Sequence, residues 1–281
     1  MTQLAQLYQS GGATIAVILA GMAILALIET AIPLHARGRP NRTHLAPNLA
    51  LTSITFATNL VFNAALVAAL IWLQSIGFGL LGVLALPALA TTAITVIALD
   101  FSFYVAHRAM HRIPGFWRIH SVHHSDPAVD VTTTVRQHPG EGVIRYAFMS
   151  AFAIALGASP AAFAVYRSWS AFNALLEHAN IRVPLRLDSL LSLVVTTPNM
   201  HKVHHSRAPE QTDTNYGNIF SLFDRLYSTF TPSRHGVNIG YGLDGFDDPA
   251  TQTTAGLLAV PFRNAAASAG TARVLPVAEG V

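Results

Sequence analysis

The 281-residue sequence contains no cysteine. That absence excludes disulfides, thiolate metal ligands, iron–sulfur clusters and a cysteine nucleophile, so any metal must be held by nitrogen or oxygen. Charge is also scarce. Asp, Glu, Lys and Arg make up 11% of residues and hydrophobic residues 52%, whereas a soluble domain carries about a quarter charged residues. No Asp, Glu, Lys or Arg occurs from Thr43 to Leu99, or between Arg145 and Arg167. The formal net charge of +3 comes from scattered Lys and Arg with no basic face of interleaved aromatics, so no nucleic-acid partner is expected.

These absences predict an all-α integral membrane protein. Thr14 to Leu34 supplies one apolar span, too long for a signal-peptide core and without a preceding basic residue, hence a retained span. Asn48 to Leu73 and Leu80 to Asp100 supply two more, joined by an uncharged turn at Gln74 to Phe78. Residues 1 to 13 lack Lys and Arg while Arg37, Arg39 and Arg42 follow the first span, which places that loop in the cytoplasm. His107 then emerges on the cytoplasmic side. The run between Arg145 and Arg167 is interrupted by Gly157-Ala158-Ser159-Pro160, a turn signal. A helical hairpin over about residues 143 to 177 returns His178 to the same face. Asp188 to Thr197 reads as a short interfacial helix, and the chain beyond about Asp248 as a loosely ordered tail. The expected organisation is transmembrane helices over 1–100, a histidine-rich domain over 101–232 and an irregular tail over 233–281.

Ten of the thirteen histidines lie between His107 and His205. They form His107-x3-His111, His120-x2-His123-His124, the single His138 and His178, and His201-x2-His204-His205. On a helix, positions i, i+3 and i+4 share a face, so each HxxHH group can send its first histidine and at least one partner toward a common point. Two groups share the string His-x-Val-His-His-Ser, which surface or core histidines have no reason to repeat. His35, His44 and His235 lie outside the pattern and read as structural. One ion takes four to six ligands, so eight clustered histidines imply two ions. Imidazole suits Fe, Zn, Cu and Ni alike. Beside a membrane of unreactive C–H bonds, activated oxygen on iron is the chemistry that can abstract hydrogen.

The motifs His107-Arg108-x2-His111, His120-Ser121-Val122-His123-His124, Arg136-Gln137-His138-Pro139-Gly140-Glu141, His178 and Thr197-Pro198-x2-His201-Lys202-Val203-His204-His205, followed by Asn215-Tyr216-Gly217, resemble the fatty acid hydroxylase / sterol desaturase superfamily over about Asp100 to Phe230. The resemblance implies a transmembrane helical bundle with a cytosolic histidine-ligated dimetal cap, binding two Fe ions, with Zn possible in isolated protein. It implies hydroxylation or desaturation of a lipid that enters from the membrane, using O2. His107, His111, His120, His123, His124, His138, His178, His201, His204 and His205 correspond to ligands. Neutral imidazoles bring no charge, so nearby carboxylates are expected to orient the rings: Asp100 first, with Glu141, Glu177, Asp213 and Asp224 as weaker candidates. Asn215-Tyr216-Gly217 is expected to be a turn supporting the His201 cluster. The sequence carries no flavin or nicotinamide fingerprint, so a separate electron-transfer protein or reductase is expected, with Arg112, Arg118, Lys202 and Arg207 as part of its docking face. A membrane zinc hydrolase or a metal transporter are the rival readings. The first lacks an HExxH motif, and the second would place ligands within the spans.

Overall fold

The computed structural model describes residues 11–35, 43–84 and 86–263. Arg37, Arg39 and Arg42, on which the orientation argument rests, and the last 18 residues of the expected tail lie outside the described residues. Among the described residues the chain is helical with no strand. Only two isolated bridges, Pro33 to Ile181 and Val195 to Phe220, pair extended backbone.

Three long helices follow one another: α1 (Gly11–Ala31), α2 (Leu45–Ser75) and, after a short α3 (Leu80–Leu84), α4 (Ala88–Arg112). The expected third span begins later than the sequence suggested and runs past Asp100 without a break. Pro87 sets this start: its fixed φ and missing N–H suit the position before a helix, not its interior. His107 and His111 are therefore carried on the last turns of the apolar helix itself. α5 (Pro114–His124) follows immediately, with Pro114 at its first position. The anticipated hairpin is present as α6 (Pro139–Leu156) and α7 (Pro160–His178). Gly157 ends α6 in the left-handed region at φ 65°. A Cβ there would lie 2.3 Å from the Phe78 carbonyl oxygen, and one at Gly79 would lie 2.2 Å from Gly157 Cα. The hairpin tip and the α2–α3 turn thus meet backbone to backbone, which only glycines permit.

α2, α4, α6 and α7 pack around Leu66, Leu70, Val96, Leu99, Tyr146, Met149, Phe163 and Tyr166. The outer faces stay apolar and exposed: Val61 is 66% accessible, Trp72 62%, Leu89 82% and Phe172 59%. Two helical stretches, Leu45–Leu84 and Ala88–Arg112, are long and apolar enough to cross a membrane. Near Pro33, Glu29 fastens α1 by accepting from the backbone N–H of Val131 at 2.8 Å and Asn180 at 2.7 Å. The remaining helices are short: α8 (Leu185–Leu191), starting before the expected Asp188 because Pro184 caps it, then α9 (Pro198–His204), α10 (Pro209–Thr212), α11 (Leu222–Leu226) and α12 (Thr254–Ala259).

The expected looseness beyond Asp248 is corrected over the described part. Leu257 and Val260 are buried against Leu51 and Val122, and Gln252 bonds Arg136 at 2.7 Å. Arg136 is completely buried. Its guanidinium donates to the Val122 carbonyl at 2.9 Å, Asn48 Oδ1 at 2.8 Å and Ser125 Oγ at 2.9 Å, joining α2, α5 and the C-terminal segment. It also neutralises Asp126, which accepts from Asn48 at 2.8 Å and Thr133 at 2.7 Å. Replacing Arg136 by Met strands a buried carboxylate, and we expect destabilisation of about 3–5 kcal/mol. A fall in the thermal unfolding midpoint in detergent checks it; an unchanged midpoint would show the network to be energetically idle.

Candidate metal centre

The ends of α4 and α7, the start of α6, and all of α5 and α9 meet at one end of the bundle, and nine histidines converge there in two groups. The first comprises His107, His111, His120, His124 and His204; the second His123, His178, His201 and His205. Within each group the candidate ligand atoms lie within 4.8 Å of one another. Helical geometry explains the division. His120 and His124, four residues apart, share one face of α5, while His123 projects about 100° away from His124. The second box does the converse: His201 and His205 join the second group and His204 crosses to the first. Adjacent histidines therefore diverge, and each HxxHH box serves both groups.

The Nε2 atoms face inward. In the first group, His120 Nε2 stands 3.2 Å from His107 Nε2 and 3.2 Å from His124 Nε2. In the second, His178 Nε2 lies 3.1 Å from His123, 3.1 Å from His201 and 3.2 Å from His205. The outward Nδ1 atoms fix the tautomer where an obligate acceptor holds them. His107 donates to the Tyr216 carbonyl at 2.8 Å, His204 to the Thr214 carbonyl at 2.8 Å and His178 to the Ala174 carbonyl at 2.7 Å. Each of those rings, when neutral, carries its lone pair on Nε2. His111 Nδ1 meets Asp213 at 3.1 Å, and His120 Nδ1 meets Glu141 at 3.0 Å.

Lone pairs converging at such distances repel unless a cation lies among them. Two nitrogens bound at right angles to one ion at about 2.1 Å lie about 3 Å apart, which the observed spacings match. Nε2 of His111 and of His204 is buried without a hydrogen-bond partner, as expected of a metal-facing nitrogen. Burial, reinforced by neighbouring imidazoles, holds His123, His124, His201 and His205 well below the usual histidine value. His204 is pulled down to about 3, again chiefly by burial. These five rings are thus held in the neutral form that offers a lone pair.

The carboxylates divide by task. Glu141 and Asp213 touch rings as anticipated. Glu177 instead approaches the inward side, its Oε1 3.9 Å from His201 Nε2. Asp100 touches no ring: it accepts the backbone N–H groups of Ile219 at 3.0 Å and Phe220 at 2.9 Å. Asp224 likewise accepts from Tyr216 and Gly217, both at 2.8 Å. These two acids set the loop whose Tyr216 carbonyl orients His107. Asn215, at φ 57°, reinforces it through the Met200 and Thr231 carbonyls, so this segment is the supporting turn expected.

His138 is brought to neither group. It precedes α6 and its Nδ1 accepts from the Gly140 N–H at 3.0 Å, so it caps a helix. Lys202 is corrected as a docking residue: it is fully buried and its ammonium donates to the Ala179 carbonyl at 2.5 Å. Arg207 is engaged by Asp244 and Asp247. Sequence reasoning missed Trp117 and read Tyr216 only as part of a turn; their rings wall the first group, with centres 4.9 Å and 5.1 Å from that of His111. His44 was read as structural, yet its Asp126 and Asp130 partners were not foreseen. Burial opposes its protonation, but those two acids raise its pKa above the usual histidine value.

The fatty acid hydroxylase family profile matches residues 92–229. Alkylglycerol monooxygenase of Caenorhabditis elegans is 35% identical over 148 residues, 51% of this chain and 28% of that protein. Ornithine lipid hydroxylase OlsE of Rhizobium tropici is 33% identical over 135 residues, 48% of this chain and 40% of that protein. Very-long-chain aldehyde decarbonylase CER1 of Arabidopsis thaliana is 33% identical over 145 residues, covering 48% and 22% of the two chains. The matched stretch is thus less than half the length of each of these relatives. No solved structure matches. Residues 92–229, which hold every histidine of both groups, thus carry the fatty acid hydroxylase family profile, and the relatives support a place in the fatty acid hydroxylase / sterol desaturase superfamily.

Proposed function

We propose that the chain is a membrane-embedded di-iron oxygenase that hydroxylates, or in a related outcome desaturates, a long-chain lipid. The observation that carries this reading is the pair of five- and four-histidine groups with Nε2 atoms turned inward. Each set fits a metal ion: His107, His111, His120, His124 and His204 would hold one, and His123, His178, His201 and His205 the other. Bound iron supplies O2 activation and hydrogen abstraction from an unactivated carbon, which no side chain can perform. The overall change is R–H + O2 + 2 electrons + 2 protons to R–OH + H2O, and an external reductase or electron-transfer protein supplies the electrons.

The protein's part is orientation and exclusion of water. Glu141, Asp213 and the carbonyls of Tyr216, Thr214 and Ala174 lock five rings by their outer nitrogens. Such partners raise ligand basicity and fix direction. Trp117, Tyr216 and the apolar ends of α4 and α7 keep the centre dry. The substrates named for the relatives, alkylglycerols, ornithine lipids and very-long-chain aldehydes, have long apolar chains in common. The exposed apolar faces of α1, α2, α4 and the α6–α7 hairpin support a membrane setting of three spans plus the hairpin, with the centre at the cytoplasmic end and lateral entry for the lipid.

Protein purified from iron-supplemented cells is expected to contain about two irons per chain, and His124→Ala combined with His204→Ala to lose most of them. A full complement surviving both substitutions would sink the site. With lipid and a reductase, 18O from 18O2 is expected in the alcohol product; label from water instead would point to a hydrolase. In the first group four of five rings are pinned through Nδ1, in the second one of four, because Nδ1 of His123, His201 and His205 has no partner among the described residues. Lost orienting partners cost about 10–100-fold in metal affinity. Titration with a chelator is therefore expected to release metal in two steps, the second group first, with His205→Ala deleting the early step. Release in one step would show the pinning to be irrelevant.

A further inference from the structure

The α6–α7 hairpin, apolar along its outer face, carries two arginines on its inner one. Arg145 and Arg167 line a single small cavity with Asn59, Ser102, Phe103 and Tyr166. The Arg145 guanidinium lies 4.7 Å over the Phe103 ring, and that of Arg167 lies 5.5 Å from the Tyr146 ring centre. Phe103 in turn meets His107 of the first histidine group edge to face, with ring centres 5.4 Å apart. The cavity therefore abuts the candidate metal centre.

Its charges do not balance. Arg145 has one carboxylate near it, Glu141, at 3.8 Å, and that acid is already engaged by His120 through its other oxygen. Arg167 has no carboxylate within ion-pair reach and no hydrogen bond to any described residue, and its aromatic neighbour provides no full negative charge. Of the other acids of this end, Asp100 accepts from two backbone N–H groups, and Glu177, 3.9 Å from His201 Nε2, forms no ion pair with either arginine. Two guanidinium groups facing one space, flanked by apolar helix surface, are costly without an anion. Asn59 Oδ1, in the same lining, is buried without a partner. That leaves an acceptor for a hydroxyl beside two forks of N–H donors.

We propose that this cavity is an anion subsite, where Arg145 and Arg167 take the negatively charged oxygens of a lipid head group while its chain lies toward the histidines. Guanidinium forks match phosphate and carboxylate geometry, and aromatic faces hold them in place. The cavity volume is about 30 Å³, room for one water-sized group. It therefore admits one charged oxygen of a phosphate or carboxylate, the rest of the head group remaining outside. The class of ligand is an anionic amphiphile, as opposed to a neutral alcohol or ether lipid. Calling that ligand the substrate rests on the oxygenase reading above; the anion preference does not.

The test is equilibrium binding to the purified, metal-loaded full-length chain in neutral detergent, without O2 or reductant. Dodecyl phosphate, dodecanoate, dodecanol and inorganic phosphate are the probes. Dodecyl phosphate or dodecanoate is expected to bind at least tenfold more tightly than dodecanol, and Arg167→Gln to abolish that difference while metal content stays at the wild-type value and the unfolding midpoint does not fall. Arg167→Lys, which keeps the charge but not the fork, is expected to retain part of it. Equal affinity for charged and neutral probes, or a preference surviving Arg167→Gln, overturns the subsite. Inorganic phosphate binding as tightly as dodecyl phosphate overturns the head-group assignment in favour of a free-anion site. If Arg167→Gln does not fold, the wild-type comparison and Arg167→Lys still decide. A chain that prefers anionic probes yet oxidises no lipid would refute the oxygenase reading and leave the subsite standing; lipid oxidation without any anion preference would do the reverse.

Discussion

Nine imidazole nitrogens buried within a few ångströms of one another create the constraint around which this end of the bundle is organised. A buried acceptor without a donor costs about 1–3 kcal/mol, and here such atoms face each other in two groups. Protonation offers no relief, since burial and neighbouring rings oppose it at His123, His124, His201, His204 and His205. The arrangement is favourable only when cations occupy the centres. Without them, it must be imposed by the surrounding helices. The outer hydrogen bonds from Glu141, Asp213 and three backbone carbonyls provide part of that imposition, and they work because those acceptors are themselves immobile. Tyr216, for example, offers its carbonyl to His107 from a loop whose N–H groups are held by Asp100 and Asp224.

A second polar layer lies behind the histidines. Arg136, Asp126, Asn48, His44 and Thr133 form a fully buried network linking the start of α2, the end of α5 and the segment before α6. Hydrophobic contact is non-directional, and in a bundle whose outer faces are also apolar it specifies register poorly. Directional bonds to a buried guanidinium do specify it, because a slip of one residue would strand a charge. The network therefore fixes how α5 is presented. With α5 fixed, His120 and His124 turn to one group and His123 to the other. Gln252 extends the same network to the C-terminal segment, which explains why residues poor in periodicity are nonetheless packed.

What could be read in the sequence is what is local. Charge-free runs gave the long helices, Gly157 to Pro160 gave the hairpin turn, and i, i+4 spacing gave the pairs His107/His111, His120/His124 and His201/His205. What could not be read depends on partners far along the chain. His44 finds Asp126 82 residues away, and Asp100 finds the backbone of Ile219 119 residues away. Neither spacing leaves a local trace. His138 misled for a local reason: a histidine before Pro-Gly-Glu is both a plausible ligand and a helix cap, and Pro139 at the first helical position decides for the cap. Lys202 misled because a lysine in a polar motif reads as surface, whereas α9 is enclosed by α7 and the loops around it.

The exchange of histidines between the two boxes has a mechanical consequence. His124 and His205 belong to different groups yet stack with ring centres 4.6 Å apart and planes at 21°. His204 lies 4.5 Å from His124 and 5.1 Å from His201, again spanning the division. No rigid displacement of α5 or α9 can therefore alter one group and spare the other. Separate helices for separate ions would let each site relax independently. Interleaving them makes the distance between the two centres a property of the α5–α9 packing, and that packing is held on one side by Arg136 and on the other by the Asn215 to Gly217 turn. A reaction that needs both centres at a fixed separation gains from that arrangement, since orientation set in advance does not have to be found in each turnover.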